Sequence, residues 1–438
     1  MKSICNRLNF VAIGLVAAVV GDGAMGQAGT VVAWGDNSSG QTVIPADLGP
    51  CKQICGGQTW SVAIKQDGMV KTWGSNSYGG CNVPLDLGPC MQITAGQFHT
   101  FAIKTDGTVV YWGNGNSGGG VPANLGPCNK IATANFHTIA LKVDGDVQTW
   151  GSDSGDLATP LDLGKCIEVA AGDRHNLAIS VSGLVRAWGW NYYGQTNVQF
   201  ITPCIKIAAG QGHSVALTTT GVVLAWGAGG VNNYGSWNYG QSLVPSDLGT
   251  CTEIAAGNFF TVALRTDGIV RAWGGDFPNQ TTTPTNLGPC IKIAAGWNHT
   301  IAIQAPVPDI SGVLPISGVA SGGTAITIRG ANFRPTSVVT IGGTQATDVV
   351  WISETQITAV TPAGFPGPAV VTVDSGSSTA FYYRPSCASD IDNNGVVDSA
   401  DLGIVLGDFG NCYESLTTPQ EQEPLIFQTT EPAKALKK

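Results

Sequence analysis

The sequence predicts an all-β chain: a seven-bladed β-propeller closed by its own N-terminal strands, then a β-sandwich and a small helical module. Three observations carry this. A Trp-Gly pair recurs at Trp34, Trp73, Trp112, Trp150, Trp188, Trp226 and Trp273, at intervals of 39, 39, 38, 38, 38 and 47 residues, a period that marks a repeat architecture. The 60 glycines and 12 tryptophans among 438 residues indicate many short strands joined by tight turns. The two ends of the repeat region are complementary: it opens on Gly29-Thr-Val-Val-Ala-Trp-Gly35 with no earlier strand, and stops after His299-Thr-Ile-Ala-Ile303 with no turn and no Trp-Gly. Each end holds what the other lacks, so Val31 to Trp34 is expected to pair with Thr300 to Ile303, clasping a ring that has no open edge.

Ahead of the repeats, Lys2 and Arg7 precede an apolar run from Phe10 to Val20, and Ala24, Gly26 and Ala28 follow. This is the layout of a secretory signal peptide over 1–28, and the run is too short to span a bilayer. The chain is thus expected to be secreted and to mature in an oxidising space. A net charge of -9, with only 12% charged residues and no basic cluster, argues against nucleic acid as a partner.

Residues 29–304 form the repeat region. Each unit reads as four short strands. The first is an apolar run such as Ile207 to Gly210, and the second alternates, as in His137 to Leu141. Asp-Gly at Asp67, Asp106, Asp144 and Asp267 then predicts a two-residue hairpin turn into the third strand, which ends at Trp-Gly. A segment with proline, as in Val83-Pro84 or Val244-Pro245, suits a fourth, edge strand, where fewer donors are needed.

That alternation sends the loops after strands one and three to one side and the Asp-Gly turns to the other. The first side collects aromatic side chains, which make good interface anchors because they bury large area with few rotatable bonds. Trp60, Tyr78, Trp190, Tyr192, Tyr193, Tyr234, Trp237, Tyr239 and Trp297 are the predicted partner-binding residues, the insertion that lengthens one interval supplying Tyr234, Trp237 and Tyr239.

All five histidines, His99, His137, His175, His213 and His299, share one register that Trp60 and Phe260 fill in the other two units. A catalytic histidine is expected once, beside a unique partner, so the set reads as structural, each imidazole bonding loop backbone. The region's two glutamates, Glu168 and Glu253, occupy equivalent first-strand positions, and no poised carboxylate pair or nucleophile elbow is found. Cys51, Cys90, Cys128, Cys166, Cys204, Cys251 and Cys290 fall once per unit. Equivalent atoms in neighbouring units lie beyond the roughly 7 Å reach of a disulfide, so these cysteines read as buried small hydrophobes. Cys55 and Cys81 can pair with each other or with a ring cysteine, and the sequence leaves this open.

The pattern G-x-x-H-[ST]-x-A-[IL]-x-x-D-G-x-V-x-x-W-G, with Asn191-Tyr-Tyr-Gly-Gln195 after it, resembles the repeat of the regulator of chromosome condensation family. The phrase Val32-Ala-Trp-Gly-Asp-Asn-Ser-Ser-Gly-Gln41 looks similar to the secreted bacterial β-lactamase-inhibitor propellers of that superfamily. The resemblance implies a propeller that acts as a binding platform.

Beyond a linker over 305–309, residues 310–384 hold alternating strands at Ala325–Arg329, Val338–Ile341, Gln356–Val360 and Ala369–Val373, which suit a small β-sandwich. Ile310-Ser-Gly-Val-Leu-Pro315 and Gly322-Gly-Thr-Ala-Ile-Thr-Ile-Arg-Gly-Ala-Asn-Phe333 resemble the immunoglobulin-like domains of plexins and transcription factors (IPT/TIG), a spacer or binding module in secreted proteins.

Over 387–412, Asp390, Asp392, Asn394, Asp398 and Asp401 stand at positions 1, 3, 5, 9 and 12 of a loop with Gly395 at 6 and the Val396 carbonyl at 7. This is the oxygen set of a calcium loop, and Ca2+ is the predicted cofactor. The aspartate at position 12 and the following Leu402-Gly-Ile-Val-Leu-Gly-Asp-Phe409 resemble a type I dockerin repeat. Cys387 and Cys412 flank the module and can staple it. The polar tail, 413–438, is expected to be disordered.

The function read from these features is non-enzymatic: a secreted, monomeric binding or scaffold protein whose aromatic loop face grips an extracellular or cell-surface protein, with a glycan as the other ligand class. The alternatives are an inhibitor of a secreted hydrolase, as the nearest resemblance implies, and an extracellular glycan-active enzyme.

Overall fold

The computed structural model describes residues 28–114, 120–151, 157–230, 237–374 and 376–384. They divide into two compact units between Val307 and Pro308, inside the expected linker. All regular structure among the described residues is β.

Among its described residues the first unit contains seven three-stranded antiparallel sheets. In the second of them, Cys90–Ala95, His99–Lys104 and Val109–Gly113 lie side by side with the His strand in the middle. The middle strand is the most buried of the three; His99 to Ile103 are all inaccessible. Successive sheets pack on one another, and the Cys51–Gly56 strand of the first lies against Cys290–Ala295 and His299–Gln304 of the last. The clasp forms as expected: Thr30–Gly35 pairs antiparallel with His299–Gln304, Val31 opposite Ile303 and Trp34 opposite Thr300.

Two local expectations are corrected. Among the described residues each repeat has three strands, not four. The proline segment is a turn in which the proline carbonyl accepts a bond from the leucine three residues on, as from Leu48 to Pro45 and Leu87 to Pro84. Proline brings no N–H to a ladder, while the turn drives Leu48, Leu87, Leu125 and Leu248 into the core. The Asp-Gly hairpin is also one residue longer than expected. Lys65 N donates to Met69 O and Gly68 N to Lys65 O, so only Gly68 takes positive φ (89°). Asp67 stays on the ordinary side and its Oδ1 accepts from Met69 N at 2.9 Å, the three-residue loop with a glycine bulge.

The seven ring cysteines are buried free thiols. Each Sγ faces the carbonyl two residues back, 3.5 Å in Cys51 and 3.4 Å in Cys290, and burial pushes those two thiols up to about 11 and about 12. Cys55 and Cys81 are free as well.

The second unit packs two sheets. One orders Asp309–Leu314, Ala325–Ala331, Gln356–Val360 and Thr347–Ser353; the other orders Ser317–Val319, Ser378–Arg384, Gly367–Val373, Val339–Ile341 and Thr344–Gln345. Ile328, Phe333, Ile357, Val371, Phe381 and Tyr383 fill the space between. The helical calcium-loop module expected over 387–412 lies outside the described residues.

Candidate functional site

The histidine register shows how each loop is held. His299 Nε2 lies 3.0 Å from Ser61 Oγ, in the next sheet. Ser61 Oγ donates its only proton to the Gln41 carbonyl at 2.7 Å, so Nε2 must carry the proton between them. The same carbonyl accepts the Trp73 indole N–H at 2.9 Å. His175 with Ser214 and Gln195 O, and His213 with Thr261 and Gln241 O, repeat the arrangement. The expected backbone partner of the imidazoles is thus corrected: the partner is a side chain of the neighbouring sheet, and the bond ties sheet to sheet. A glycine three residues earlier makes room for the ring; a Cβ on Gly172 would lie 2.2 Å from His175 Cε1. Burial pushes His175 down to about 3 and His99, His213 and His299 to about 4. They are neutral structural groups at neutral pH.

The glutamine that ends the Asn-x-x-Gly-Gln phrase positions the aromatic loops. Gln195 Oε1 accepts Tyr193 N at 3.0 Å. Gln241 Oε1 accepts Tyr239 N at 2.9 Å, and its Nε2 donates to Trp237 O at 2.8 Å. Both glutamines are fully buried, so the loops are held from beneath and their aromatic rings are pre-positioned.

Seven rings on three adjacent repeats then run together. Trp190 stacks on Tyr192 (5.7 Å, 9° between planes) and meets Trp237 edge-on at 6.4 Å. Tyr193 stacks beneath Trp237 at 5.1 Å. Trp237 reaches Phe259 (5.6 Å), Phe259 reaches Tyr239 (5.2 Å), and Tyr239 reaches Phe277 (5.2 Å). Tyr192 is 68% exposed, Phe277 58% and Tyr239 39%. A smaller group joins Tyr78 to Phe98 at 4.9 Å and Phe98 to Phe136 at 6.3 Å.

Among the predicted residues, Tyr78, Trp190, Tyr192, Trp237 and Tyr239 therefore stand on or in these clusters. Trp60 does not. It is buried in the core, its indole donating to Thr100 Oγ1 at 3.1 Å, because it fills the histidine register and makes the same sheet-to-sheet bond. Tyr193 is buried and supports Trp237 rather than facing solvent. Trp297 is half-buried and lines a cavity where the seven sheets converge. Tyr234, the calcium ligands Asp390, Asp392, Asn394, Val396, Asp398 and Asp401, and the pair Cys387 and Cys412 lie outside the described residues. Phe277 joins the belt without a sequence expectation, although its place four residues after Trp273 matches that of Tyr192 after Trp188.

Glu168 and Glu253 are structural. Glu168 pairs with Lys130, and Glu253 with Lys206 at 3.0 Å and Lys292 at 2.7 Å, all from first strands. Among the described residues no helix is long and apolar enough to cross a membrane.

The model of the regulator of chromosome condensation (RCC1) repeat matches residues 92–118, 166–195, 204–236 and 251–277, and that of the IPT/TIG domain matches 308–386. The chain carries RCC1 repeats and an IPT/TIG domain. No curated protein matches it. Among solved structures it is similar to Prp20p from Saccharomyces cerevisiae, described with binding properties to Gsp1p and histones (16% identity, 63% of this chain and 91% of that one, TM-score 0.52). It is similar to yeast RCC1 (Prp20) bound to Kap60 (17%, 64% and 90%, 0.52) and to human WBSCR16 (18%, 63% and 98%, 0.52). At these identities the likeness establishes the fold: the repeats build an RCC1-type propeller of three-stranded blades.

Proposed function

We propose that this is a secreted, non-enzymatic binding or scaffold protein whose complete seven-bladed propeller recognises another protein through its aromatic loop face. The supporting observation is the belt from Tyr192 to Phe277. It exposes Tyr192, Tyr239 and Phe277, is continuous over three repeats and is held rigidly by buried Gln195 and Gln241, so little conformational entropy is lost on docking. Rigid aromatic anchors of this kind dominate interface energetics. That the similar yeast propeller is described with Gsp1p, histones and Kap60 agrees with a protein-binding use of the fold. In this reading residues 1–28 direct export, the protein is monomeric, and the IPT/TIG-like domain spaces the propeller from a dockerin-like module over 387–412. The donor set of that module, five side-chain oxygens and the Val396 carbonyl, suits a hard cation, and Ca2+ is the metal it would hold.

The experiment is affinity capture from the producer's extracellular fraction with the full chain as bait and Trp237→Ala and Tyr192→Ala as controls. One dominant protein, reduced at least tenfold by either substitution, is expected; equal capture by all three baits would overturn the reading. If the captured protein is a hydrolase and its activity falls in the complex, the role narrows to inhibition, as the similarity to β-lactamase-inhibitor propellers implies. For the metal, calorimetric titration with Ca2+ should give one site, weakened at least tenfold by Asp390→Ala.

A further inference from the structure

The aromatic belt is a row of corners. Its successive rings stand at steep angles: 66° between Trp190 and Trp237, 65° between Trp237 and Phe259, 55° between Phe259 and Tyr239, and 74° between Tyr239 and Phe277. Rings that meet edge to face enclose a notch between them instead of offering one flat platform. Tyr239 and Phe277 are both exposed, and Trp190, Trp237 and Phe259 are half-buried, so each notch has walls that solvent reaches.

Hydrogen bonding divides the loops into groups already used and groups left free. Asp276, next to Phe277 in sequence, accepts from Thr281 N at 2.8 Å and from Thr282 Oγ1 at 2.9 Å. Asn191 Oδ1 accepts from Thr196 N, and Asn191 Nδ2 donates to Asn197 Oδ1. With Gln195 and Gln241 bonded to the aromatic segments from beneath, these acceptors all serve the loops themselves. Among the described residues the Trp190 and Trp237 indole N–H groups, the Tyr192 and Tyr239 hydroxyls and the Asn238 carboxamide stay free. Every one of them can donate, and the two indoles can do nothing else. The belt's rings carry no charge.

A ligand that suits this surface brings compact rings for the notches, acceptors for the donors, and no charge. Proline meets all three conditions. Its pyrrolidine ring is apolar, its carbonyl accepts, and it has no N–H that would need an acceptor from the site. In a polyproline II helix the same face returns every third residue, roughly 9 Å on. From Trp237 to Tyr239 the belt takes two ring steps, 5.6 and 5.2 Å, long enough to seat one such turn. That helix exists before binding and the glutamines preset the belt, so little freedom is lost on either side. A glycan fits less well: its hydroxyls donate as well as accept, and its flat ring faces stack best on a flat platform.

We propose that the belt takes a proline-rich segment of the partner protein in polyproline II conformation, with pyrrolidine rings seated in the notches between the aromatic rings. This deepens the protein-binding reading above and rests on it for the belt's role as docking face.

The test is calorimetric titration of the full chain with N-acetyl-nonaproline amide, alongside a blocked Gly-Ser peptide of the same length and the oligosaccharides cellohexaose and N-acetylchitohexaose. Saturable binding of nonaproline is expected, at least tenfold tighter than each of the other probes. Phe277→Ala and Tyr239→Ala, which trim two exposed rings, should each weaken it at least tenfold, and Trp237→Phe, which keeps a ring and removes the indole N–H, should weaken it several-fold. No saturable binding of nonaproline, equal binding of the Gly-Ser peptide, tighter binding of either oligosaccharide, or indifference to both Phe277→Ala and Tyr239→Ala would each overturn the proposal. Should a variant fail to fold, the ranking of probes on the unaltered protein still decides. A partner captured through the belt should be released by saturating nonaproline. A partner that is lost with Trp237→Ala but not released by nonaproline would overturn the proline-rich segment and leave the docking face standing, so the two readings fail separately.

Discussion

A buried imidazole that is neutral at pH 7 becomes a liability in acid. For His99, His175, His213 and His299 the folded values, about 4, 3, 4 and 4, lie below the unfolded value of about 6.5. The unfolded chain therefore takes up protons first. Their contribution to stability is whole above about pH 6.5 and is lost as pH falls toward the folded values, by about 1.4 kcal/mol per pH unit for each histidine. Denaturant unfolding followed from pH 7 to pH 4.5 should show that slope, and His213→Phe, which copies Phe260 in the same register, should flatten it by one histidine's share. Gly172 makes a second test: with a Cβ 2.2 Å from the His175 ring, Gly172→Ala should cost about 2 kcal/mol or more, seen as a lowered Tm. The shared histidine register was legible in the sequence because it repeats. The side chain that each imidazole meets was not, since it belongs to the next sheet, 39 positions on from His175 at Ser214 and 48 on from His213 at Thr261.

Loops, at the next scale, derive their order from one side chain each. Gln241→Ala removes the two bonds that hold Tyr239 N and Trp237 O without touching an aromatic ring. It should lower stability by about 1–3 kcal/mol and weaken capture of the partner several-fold; unchanged capture would show that the loop needs no such support. Strand positions could be read from period and turn residues, as the clasp and the four sandwich strands demonstrate. The extra hairpin residue and the missing fourth strand could not, because both turn on which N–H a residue offers. A proline beside an apolar residue looks the same in an edge strand as in a turn that buries Leu48.

Across the whole ring, the third inner-strand positions read Gln53, Gln92, Lys130, Glu168, Lys206, Glu253 and Lys292. Opposite charges meet where Lys130 pairs with Glu168 and where Glu253 pairs with Lys206 and Lys292. Seven is odd, so signs cannot alternate all the way round; Gln53 and Gln92 stand at the seam and bond the neighbouring backbone instead, at Ile93 N and at Ile131 N and O. That pattern lay in the sequence, yet spacing alone does not say which repeated side chains face a common axis. The closing strand matters at this scale too: removing 29–35 strips Val31 and Trp34 from the core and should lower Tm by ten degrees or more in calorimetry. The geometry of that clasp has a mechanical side. Thr30 pairs with Gln304 and Gly35 with His299, so the polypeptide enters and leaves at the same end of one antiparallel pair. Tension between its two ends loads these bonds one at a time, like a zipper, instead of together in shear. A propeller anchored at both ends would therefore yield first at Gly29, bridged to Cys51, and then at Thr30, at low force, leaving the other six sheets folded.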